Sequence, residues 1–184
     1  MKHLFWLVSK ELAGRSGPDR NPWDLRQLQA EGFGAVLSVN DGLLCHAQDF
    51  EQSRIAYACV PLSPNAPPRP GDLEHCVAAL PVAYAFVAEH LEQDQKVLVH
   101  CSSGKDRTGL FFGYFLIRRY GQSVSSAIDN VLAVRPIAYT AEGWREFAFA
   151  VLSAVTAHRS FDADGQGCPP LRGSDSPAAD QLLR

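Results

Sequence analysis

An apolar strand that passes through a short loop directly into a long apolar helix constrains the fold of this chain most strongly. The strand, at residues 96–100, reads Lys-Val-Leu-Val-His, and its apolar run predicts a central strand that is buried on both faces. The helix is predicted over residues 110–120 and ends at Gly121. Together they predict a sheet with helices packed against it.

The rest of the chain repeats this alternation of strands and helices. Further strands are predicted at residues 5–8, 35–39 and 55–60, the first at a sheet edge, and further helices at residues 21–32, 72–91, 123–134 and 140–158. Residues 14–18 are predicted to be a turn-rich connection, and the proline-rich residues 61–71 an ordered loop. The pattern predicts an α/β fold with a central, mostly parallel sheet flanked by helices.

Length and composition indicate one globular domain. The chain has 184 residues, of which 46% are hydrophobic and 20% charged, and its net charge of −3 lacks the basic excess of nucleic-acid-binding proteins. We predict one folded domain over residues 1–158. Residues 159–184 are rich in Gly, Pro, Asp and Ser, which predicts a flexible tail.

The cysteines and the N-terminus indicate the compartment. The five cysteines are Cys45, Cys59, Cys76, Cys101 and Cys168, an odd number without the C-x-x-C spacing of metal ligands. This favours a reducing environment and predicts neither a metal site nor a cofactor. The N-terminal apolar run is too short for a secretory signal or a membrane span, so we predict a cytoplasmic protein without stable membrane insertion.

The loop between residues 101 and 107 carries the strongest chemical signal, a cysteine and an arginine separated by five residues. It joins a predicted strand to a predicted helix, so its backbone N–H groups can converge at the helix N-terminus and bind an anion the size of phosphate. Gly104 permits a tight backbone turn, and the guanidinium of Arg107 can grip two phosphate oxygens. A thiol in such a field ionises below its usual pKa of about 8.5, which predicts that Cys101 is a nucleophile.

Two neighbours of the loop are predicted to support it. The hydroxyl of Thr108 is placed to donate a hydrogen bond to the sulfur, and His100 is expected to orient the loop through backbone contacts without transferring a proton. A cysteine and an arginine at this spacing also occur by chance. The longer match, from the strand through Arg107-Thr108-Gly109 into an apolar helix, argues against coincidence.

The string from His100 to Gly109 resembles the signature loop of the protein tyrosine phosphatase superfamily, and residues 5–155 resemble its small atypical dual-specificity branch, the VHZ-like phosphatases. Supporting similarities are Leu12-Ala13-Gly14-Arg15 before Pro18, the segment around Gly32, Pro67-Pro68, and Arg135-Pro136. The resemblance implies a phosphatase domain over residues 1–158 and a two-step reaction. Cys101 accepts the phosphoryl group and water then releases it, while the phosphate is bound by Ser102, Ser103, Gly104, Lys105, Asp106 and Arg107.

The chain departs from the family at the general acid, because Pro64 stands where the resemblance places an aspartate and the adjacent Asn65 cannot act as an acid. Asp106, inside the loop, is one candidate replacement, and a structural carboxylate bonded to loop amides or to Lys105 is an equally good interpretation of it. Asp72 is the other candidate, although a helix cap is the more common role for an aspartate in its position.

Without the usual acid, aryl phosphates are the favoured substrates, since a phenolate leaves with less assistance than an alkoxide. The expected partner is therefore a phosphotyrosine protein. Lys105 favours an alternative, a phosphoinositide substrate. A low-turnover phosphate-binding module and a sulfur transferase or arsenate reductase are further alternatives. The intact Cys101 and Arg107 argue against a phosphate-binding module with low turnover. The Arg107-Thr108-Gly109 ending argues against a sulfur transferase or arsenate reductase.

Overall fold

The computed structural model describes residues 3–40 and 47–163 and contains a five-stranded sheet flanked by helices. The strand order is β1-β2-β5-β3-β4, and only the β1–β2 pair is antiparallel. The predicted α/β architecture with a mostly parallel sheet is therefore confirmed. The strands are β1 (Phe5–Val8), β2 (Leu12–Ser16), β3 (Phe33–Ser38), β4 (Ala56–Cys59) and β5 (Lys96–Cys101). The helices are α1 (Leu25–Ala30), α2 (Ala47–Glu51), α3 (Asp72–Glu92), α4 (Asp106–Tyr120), α5 (Val124–Val134) and α6 (Trp144–Ala163).

Strand β5 is the centre of the molecule. Its side chains alternate between two apolar clusters, with Val97 and Val99 in the larger cluster and Leu98 in the smaller one, so both faces of the strand are buried. The larger cluster packs against α3, α4, α5 and α6, and the smaller cluster includes Leu28 of α1. The apolar run in the sequence thus correctly predicted a strand covered on both faces.

Parallel pairing brings several strand ends to one edge of the sheet. Strand β5 pairs with β2 so that Cys101 lies opposite Ser16, and with β3 so that His100 lies opposite Ser38. The segments that follow these three strands therefore emerge side by side at the carboxyl ends of the strands, where ligands bind in sheets of this kind.

The prediction of a turn-rich connection at residues 14–18 was wrong for its first half, because residues 12–16 form β2 and are all buried. The glycine and the arginine suggested a turn, but both have tertiary reasons to lie in a strand. A Cβ atom on Gly14 would come within 2.5 Å of the Phe5 ring. Arg15 is buried because its guanidinium donates to the Asn21 carbonyl at 2.7 Å and lies over the Trp23 ring.

Several helix boundaries differ from their predictions. Helix α1 begins at Leu25 with Asp24 as its N-cap, not at Asn21, and α6 begins at Trp144, not at residue 140. Helix α6 extends to Ala163, so residues 159–163 of the predicted tail are helical. The remainder of that tail, with Cys168, and residues 41–46, with Cys45, lie outside the described residues. Within the described ranges, no helix combines the length and apolarity that a membrane span requires.

Candidate active site

The loop from Ser102 to Lys105, here called the phosphate loop, connects β5 to α4. Cys101 lies at the end of β5 and is only 2% exposed, while α4 begins at Asp106. Gly104 has a φ of +60°, and a Cβ atom there would collide with the Arg15 carbonyl group and the Ser16 amide nitrogen. Glycine is therefore required at this position, both for its backbone conformation and for its contact with β2.

One flank of the phosphate loop is held by residues that follow β2. The amide of Gly17 donates to the Ser102 carbonyl at 3.0 Å. The Ser102 hydroxyl donates to Asp19 Oδ2 at 2.9 Å and accepts a hydrogen bond from Arg20 Nε at 3.3 Å. Backbone and side-chain bonds thus join the first residue of the loop to the neighbouring strand end.

The other flank is held by Arg135, the residue that ends α5. Its Nε donates to the Gly104 carbonyl at 3.0 Å and its Nη2 to the Ser103 carbonyl at 3.3 Å. The guanidinium also lies over the Phe5 ring, at 4.7 Å from the centroid. Arg135 thus satisfies two carbonyl oxygens of the loop and joins the loop to the end of α5.

Arg107 reaches across to the proline-rich loop between β4 and α3. Its Nε donates to the Ser63 carbonyl at 2.5 Å and its Nη2 to the Pro64 carbonyl at 2.6 Å. The guanidinium carbon is 5.6 Å from the ring centroid of Trp144, whose Nε1 donates to the Asn65 carbonyl at 2.9 Å. Arg107 and Trp144 together fix the proline-rich loop beside the phosphate loop.

Asp106 and Lys105 are paired with each other and with the segment between α5 and α6. The Ala141 amide donates to Asp106 Oδ1 at 3.2 Å, and Lys105 Nζ lies 3.4 Å from Asp106 Oδ2. Lys105 Nζ also donates to the Thr140 hydroxyl at 3.0 Å. This arrangement matches the structural interpretation of Asp106, a carboxylate in the first turn of α4 that anchors a neighbouring loop.

Asp72 organises the proline-rich loop. It is the first residue of α3, whose N-cap is Gly71, so the side chain does not cap the helix as predicted. Its carboxylate accepts hydrogen bonds from the Arg69 amide at 2.6 Å and from Asn65 Nδ2 at 2.9 Å and 3.0 Å. Burial alone would raise the pKa of Asp72, but these hydrogen bonds outweigh it and the pKa is lowered. A carboxyl group with a lowered pKa is a poor proton donor.

His100 and Thr108 are both buried beneath the loop. The His100 ring meets Trp23 edge-on at 4.7 Å, and burial lowers the pKa of His100 to about 4, against hydrogen bonding to Cys101 and the charge of Asp19, which raise it. A neutral imidazole fits the orienting role predicted for it. The Thr108 hydroxyl is fully buried and has no hydrogen-bond partner within the described part of the chain, so its bond to the sulfur stays a prediction.

A cavity of about 490 Å³ opens beside these groups. Arg107 and Ser102 belong to its wall, as do Pro61, Leu62 and Pro64 of the proline-rich loop. Neither Asp106 nor Asp72 lines it. A second hollow of about 440 Å³ lies between α5 and α6 and contains no residue of the phosphate loop. Of the two hollows, the first is therefore the candidate substrate cavity, because its wall includes Ser102 of the phosphate loop.

Sequence reasoning missed part of this site. Asp19 and His75 also line the cavity, and Arg135 holds the phosphate loop. Asp19 and His75 have no motif of their own, and they reach the site only because the parallel strands bring distant loops together. The pair Arg135-Pro136 was a weak signal, since it follows the loop helix in the resemblance.

Known proteins of similar sequence and structure fit this geometry. The family model described as the dual specificity phosphatase catalytic domain matches residues 20–147. No curated protein sequence matches the chain. Among solved structures, Tk-PTP in its active form is 22% identical, with a TM-score of 0.65, over 85% of this chain and 97% of that one.

Two other solved phosphatases share the fold. Human DUSP28 is 19% identical, with a TM-score of 0.64, over 85% of this chain and 97% of that one. PTPMT1 in complex with PI(5)P is 17% identical, with a TM-score of 0.65, over 84% of this chain and 98% of that one. Since the family model covers more than half of the sequence, this chain belongs to the dual-specificity phosphatase catalytic-domain family of the protein tyrosine phosphatase superfamily and hydrolyses phosphoesters.

Proposed function

We propose that this chain hydrolyses phosphomonoesters through a phosphocysteine intermediate on Cys101, with aryl phosphates such as phosphotyrosine favoured. The Cys101 thiolate attacks phosphorus, the bond to the leaving-group oxygen breaks, and water then cleaves the phosphocysteine. The backbone amides of residues 102–107 and the guanidinium of Arg107 stabilise the charge that develops on the transferring phosphoryl group.

One observation supports this mechanism above the others. Cys101 ends the central strand, and the loop that joins this strand to α4 is held by Gly17 on one flank and by Arg135 on the other. A nucleophile and an anion-binding loop fixed in this way have little reorganisation to undergo when the substrate arrives. Asp106 contributes its backbone amide to this loop and its carboxylate to the anchoring of residue 141.

Arg107 would have to change partners when phosphate binds. Two of its N–H donors are engaged with the carbonyls of Ser63 and Pro64, which are neutral acceptors. A phosphate dianion is a stronger acceptor than a carbonyl, since charge-assisted hydrogen bonds are about twice as strong as neutral ones. Substrate binding is therefore expected to move the guanidinium from the proline-rich loop to the phosphate.

The preference for aryl phosphates follows from the cavity wall and from the ease with which a phenolate leaves. Pro61, Leu62 and Pro64 give the wall an apolar part against which an aromatic ring can pack. A phenolate also needs less proton transfer on departure than an alkoxide does. The natural substrate class is thus a phosphotyrosine protein.

A phosphoinositide is the second candidate substrate. It is favoured by the shared fold of PTPMT1, which has been solved in complex with PI(5)P. The main cation expected to serve a second phosphate, Lys105, is instead bonded to Asp106 and Thr140 and does not line the cavity. For this reason we rank the phosphopeptide above the lipid.

Phosphate release from a phosphotyrosine peptide, from phosphoserine and phosphothreonine peptides of the same sequence, and from PI(5)P tests the proposal. We expect the tyrosine peptide to be turned over fastest, and C101S to abolish every activity while retaining its thermal stability. Equal rates on the three peptides would refute the aryl preference. Activity in C101S would refute the mechanism.

A further inference from the structure

The cavity lined by Ser102 and Arg107 has few described residues that can give a proton to a leaving oxygen. Of the described residues that line it, Asp19 has a carboxyl side chain and His75 an imidazole. Asp72 and Asp106, the carboxylates expected from the sequence, are held by the Arg69 and Ala141 amides and do not line it. The described wall of the cavity therefore offers two candidate proton donors, Asp19 and His75, that the sequence did not indicate.

We propose that His75 is the catalytic proton donor, and this deepens the function proposed above. His75 lies in the first turn of α3, directly after the proline-rich loop, and its ring contacts the Pro61 carbonyl at 2.9 Å. Pro61 and His75 line the same cavity as Arg107 and Ser102. The imidazole therefore belongs to the same cavity wall as the arginine proposed to bind the phosphate.

The contact with Pro61 determines which nitrogen of the His75 ring carries a hydrogen. A carbonyl oxygen only accepts hydrogen bonds, so Nε2 carries a hydrogen and donates it to Pro61. The other ring nitrogen, Nδ1, has no hydrogen-bond partner in the part of the chain that the structure describes. Nδ1 is consequently the atom that can give up and regain a proton, while Nε2 holds the ring in place.

Asp19 is less suited to this role. Its Oδ2 accepts the hydrogen bond of the Ser102 hydroxyl at 2.9 Å, and Arg20 Nε donates to the same hydroxyl. Asp19 therefore positions the first residue of the phosphate loop and leaves the proton transfer to His75.

The His75 imidazole gives a proton in the first step of the reaction and takes one back in the second. In the first step the Cys101 sulfur bonds to phosphorus, the bond from phosphorus to the leaving oxygen breaks, and Nδ1 of the imidazolium protonates that oxygen. In the second step water attacks the phosphocysteine, Nδ1 takes a proton from the water, and the sulfur leaves as a thiolate. The imidazolium and the thiolate are both restored, and no other reactant is needed.

A series of leaving groups tests the proposal through kcat/KM, which reports the first chemical step. We compare phenyl phosphate, whose phenolate needs protonation, with 2,4-dinitrophenyl phosphate, whose phenolate leaves unaided. H75Q, in which the amide can still donate to Pro61, is expected to lose about 10²-fold on phenyl phosphate and less than about threefold on the dinitrophenyl ester. Free imidazole is expected to restore phenyl phosphate turnover in H75A.

Three comparison variants complete the experiment. H90Q changes a histidine at the other end of α3, bonded to Gln95, and is expected to behave as wild type on both esters. The proposal would be overturned if H75Q lost equal activity on the two esters or lost none on either. It would also be overturned if the leaving-group dependence appeared in D19N instead. C101S separates the two ideas, because residual activity in C101S overturns the proposed function itself.

Discussion

At the scale of single residues, two positions decide whether the site can form. Gly104 lies against the end of β2 with a backbone conformation that side chains rarely adopt, and His100 is buried next to Trp23 as a neutral ring. His100 does not line the cavity and Gly104 offers the substrate only its backbone amide, yet both determine the position or the ionisation state of the groups around the substrate. Each leads to a measurable consequence.

G104A is expected to lose at least about 10²-fold in kcat/KM, because the new Cβ atom collides with the Arg15 carbonyl group and displaces the loop. A displacement of about 1 Å in an active site is enough to lower the rate by about that factor. Its stability should fall by about 1–3 kcal/mol. G121A is the matched control, since Gly121 has a φ of +66° but open space around it. G121A should keep full activity at a small cost in stability measured by urea unfolding. Full activity in G104A would contradict the geometry of the loop.

The pH dependence of stability follows from His100. Burial lowers its folded-state pKa to about 4 from 6.5, so between these values the unfolded chain binds a proton that the folded chain does not. Stability therefore falls as the pH drops through this window, by about 2 kcal/mol between pH 7.5 and pH 5, since one pKa unit corresponds to about 1.36 kcal/mol.

Urea unfolding of the wild type and of H100Q at pH 7.5, 6 and 5 measures this effect. The slope of unfolding free energy against pH should be shallower in H100Q by the amount given above, whatever the absolute stability of the variant. Parallel slopes in the two proteins would show that His100 titrates normally and is not buried as a neutral ring.

The site residues that the sequence could indicate are those whose chemistry is local. Cys101, Gly104 and Arg107 stand out because a strand, a tight loop and a helix follow each other within one short segment. His75 and Asp19 reach the cavity from segments that are distant in the sequence, and their positions depend on strand order. Local patterns contain no information on such contacts, so these two residues could not have been found without the structure.

At the scale of elements, the same distinction separates the correct assignments from the wrong ones. The unit formed by β5 and α4 was predictable from its apolar runs and from Gly121, which ends the helix with a left-handed conformation. Strand β2 was missed because Gly14 and Arg15 have low strand propensity, and only the Phe5 ring and the bond to Asn21 justify them there. Tertiary contacts outweigh local propensity at such positions.

The end of α5 acts on the site through Arg135. R135K keeps the positive charge but cannot reproduce the fork that bonds both Ser103 and Gly104, so the loop should loosen. We expect kcat/KM to fall about 10-fold or more and the inhibition constant of inorganic phosphate to rise by a similar factor, in line with about 1.5–3 kcal/mol for hydrogen bonds to a charged group. R118K is the matched control, because the Arg118 guanidinium lies over the Tyr84 ring. This variant should change neither constant. An unchanged phosphate constant in R135K would mean that Arg135 serves stability alone.

At the scale of the whole molecule, helices cover both faces of the sheet, and α6 closes the larger apolar cluster. Its buried residues Val151, Leu152 and Val155 belong to the same cluster as Val99 and Phe111. The site therefore depends on α6 twice, through the packing of the core and through Trp144 at its first turn, beneath Arg107.

The extent of the domain can be tested by two truncations on either side of these contacts. A chain that ends at residue 163 keeps all of α6, and the composition of the remaining tail predicts no contribution to the core, so its melting temperature and kcat/KM should match those of the full chain. A chain that ends at residue 150 loses Val151, Leu152 and Val155, each worth about 1.5–3 kcal/mol on burial, which is comparable with the whole stability of a domain. It should fail to show cooperative thermal unfolding by circular dichroism. If the chain ending at residue 163 were instead inactive or markedly less stable, the tail would have to be counted as part of the catalytic domain, because nothing else distinguishes that chain from the complete one.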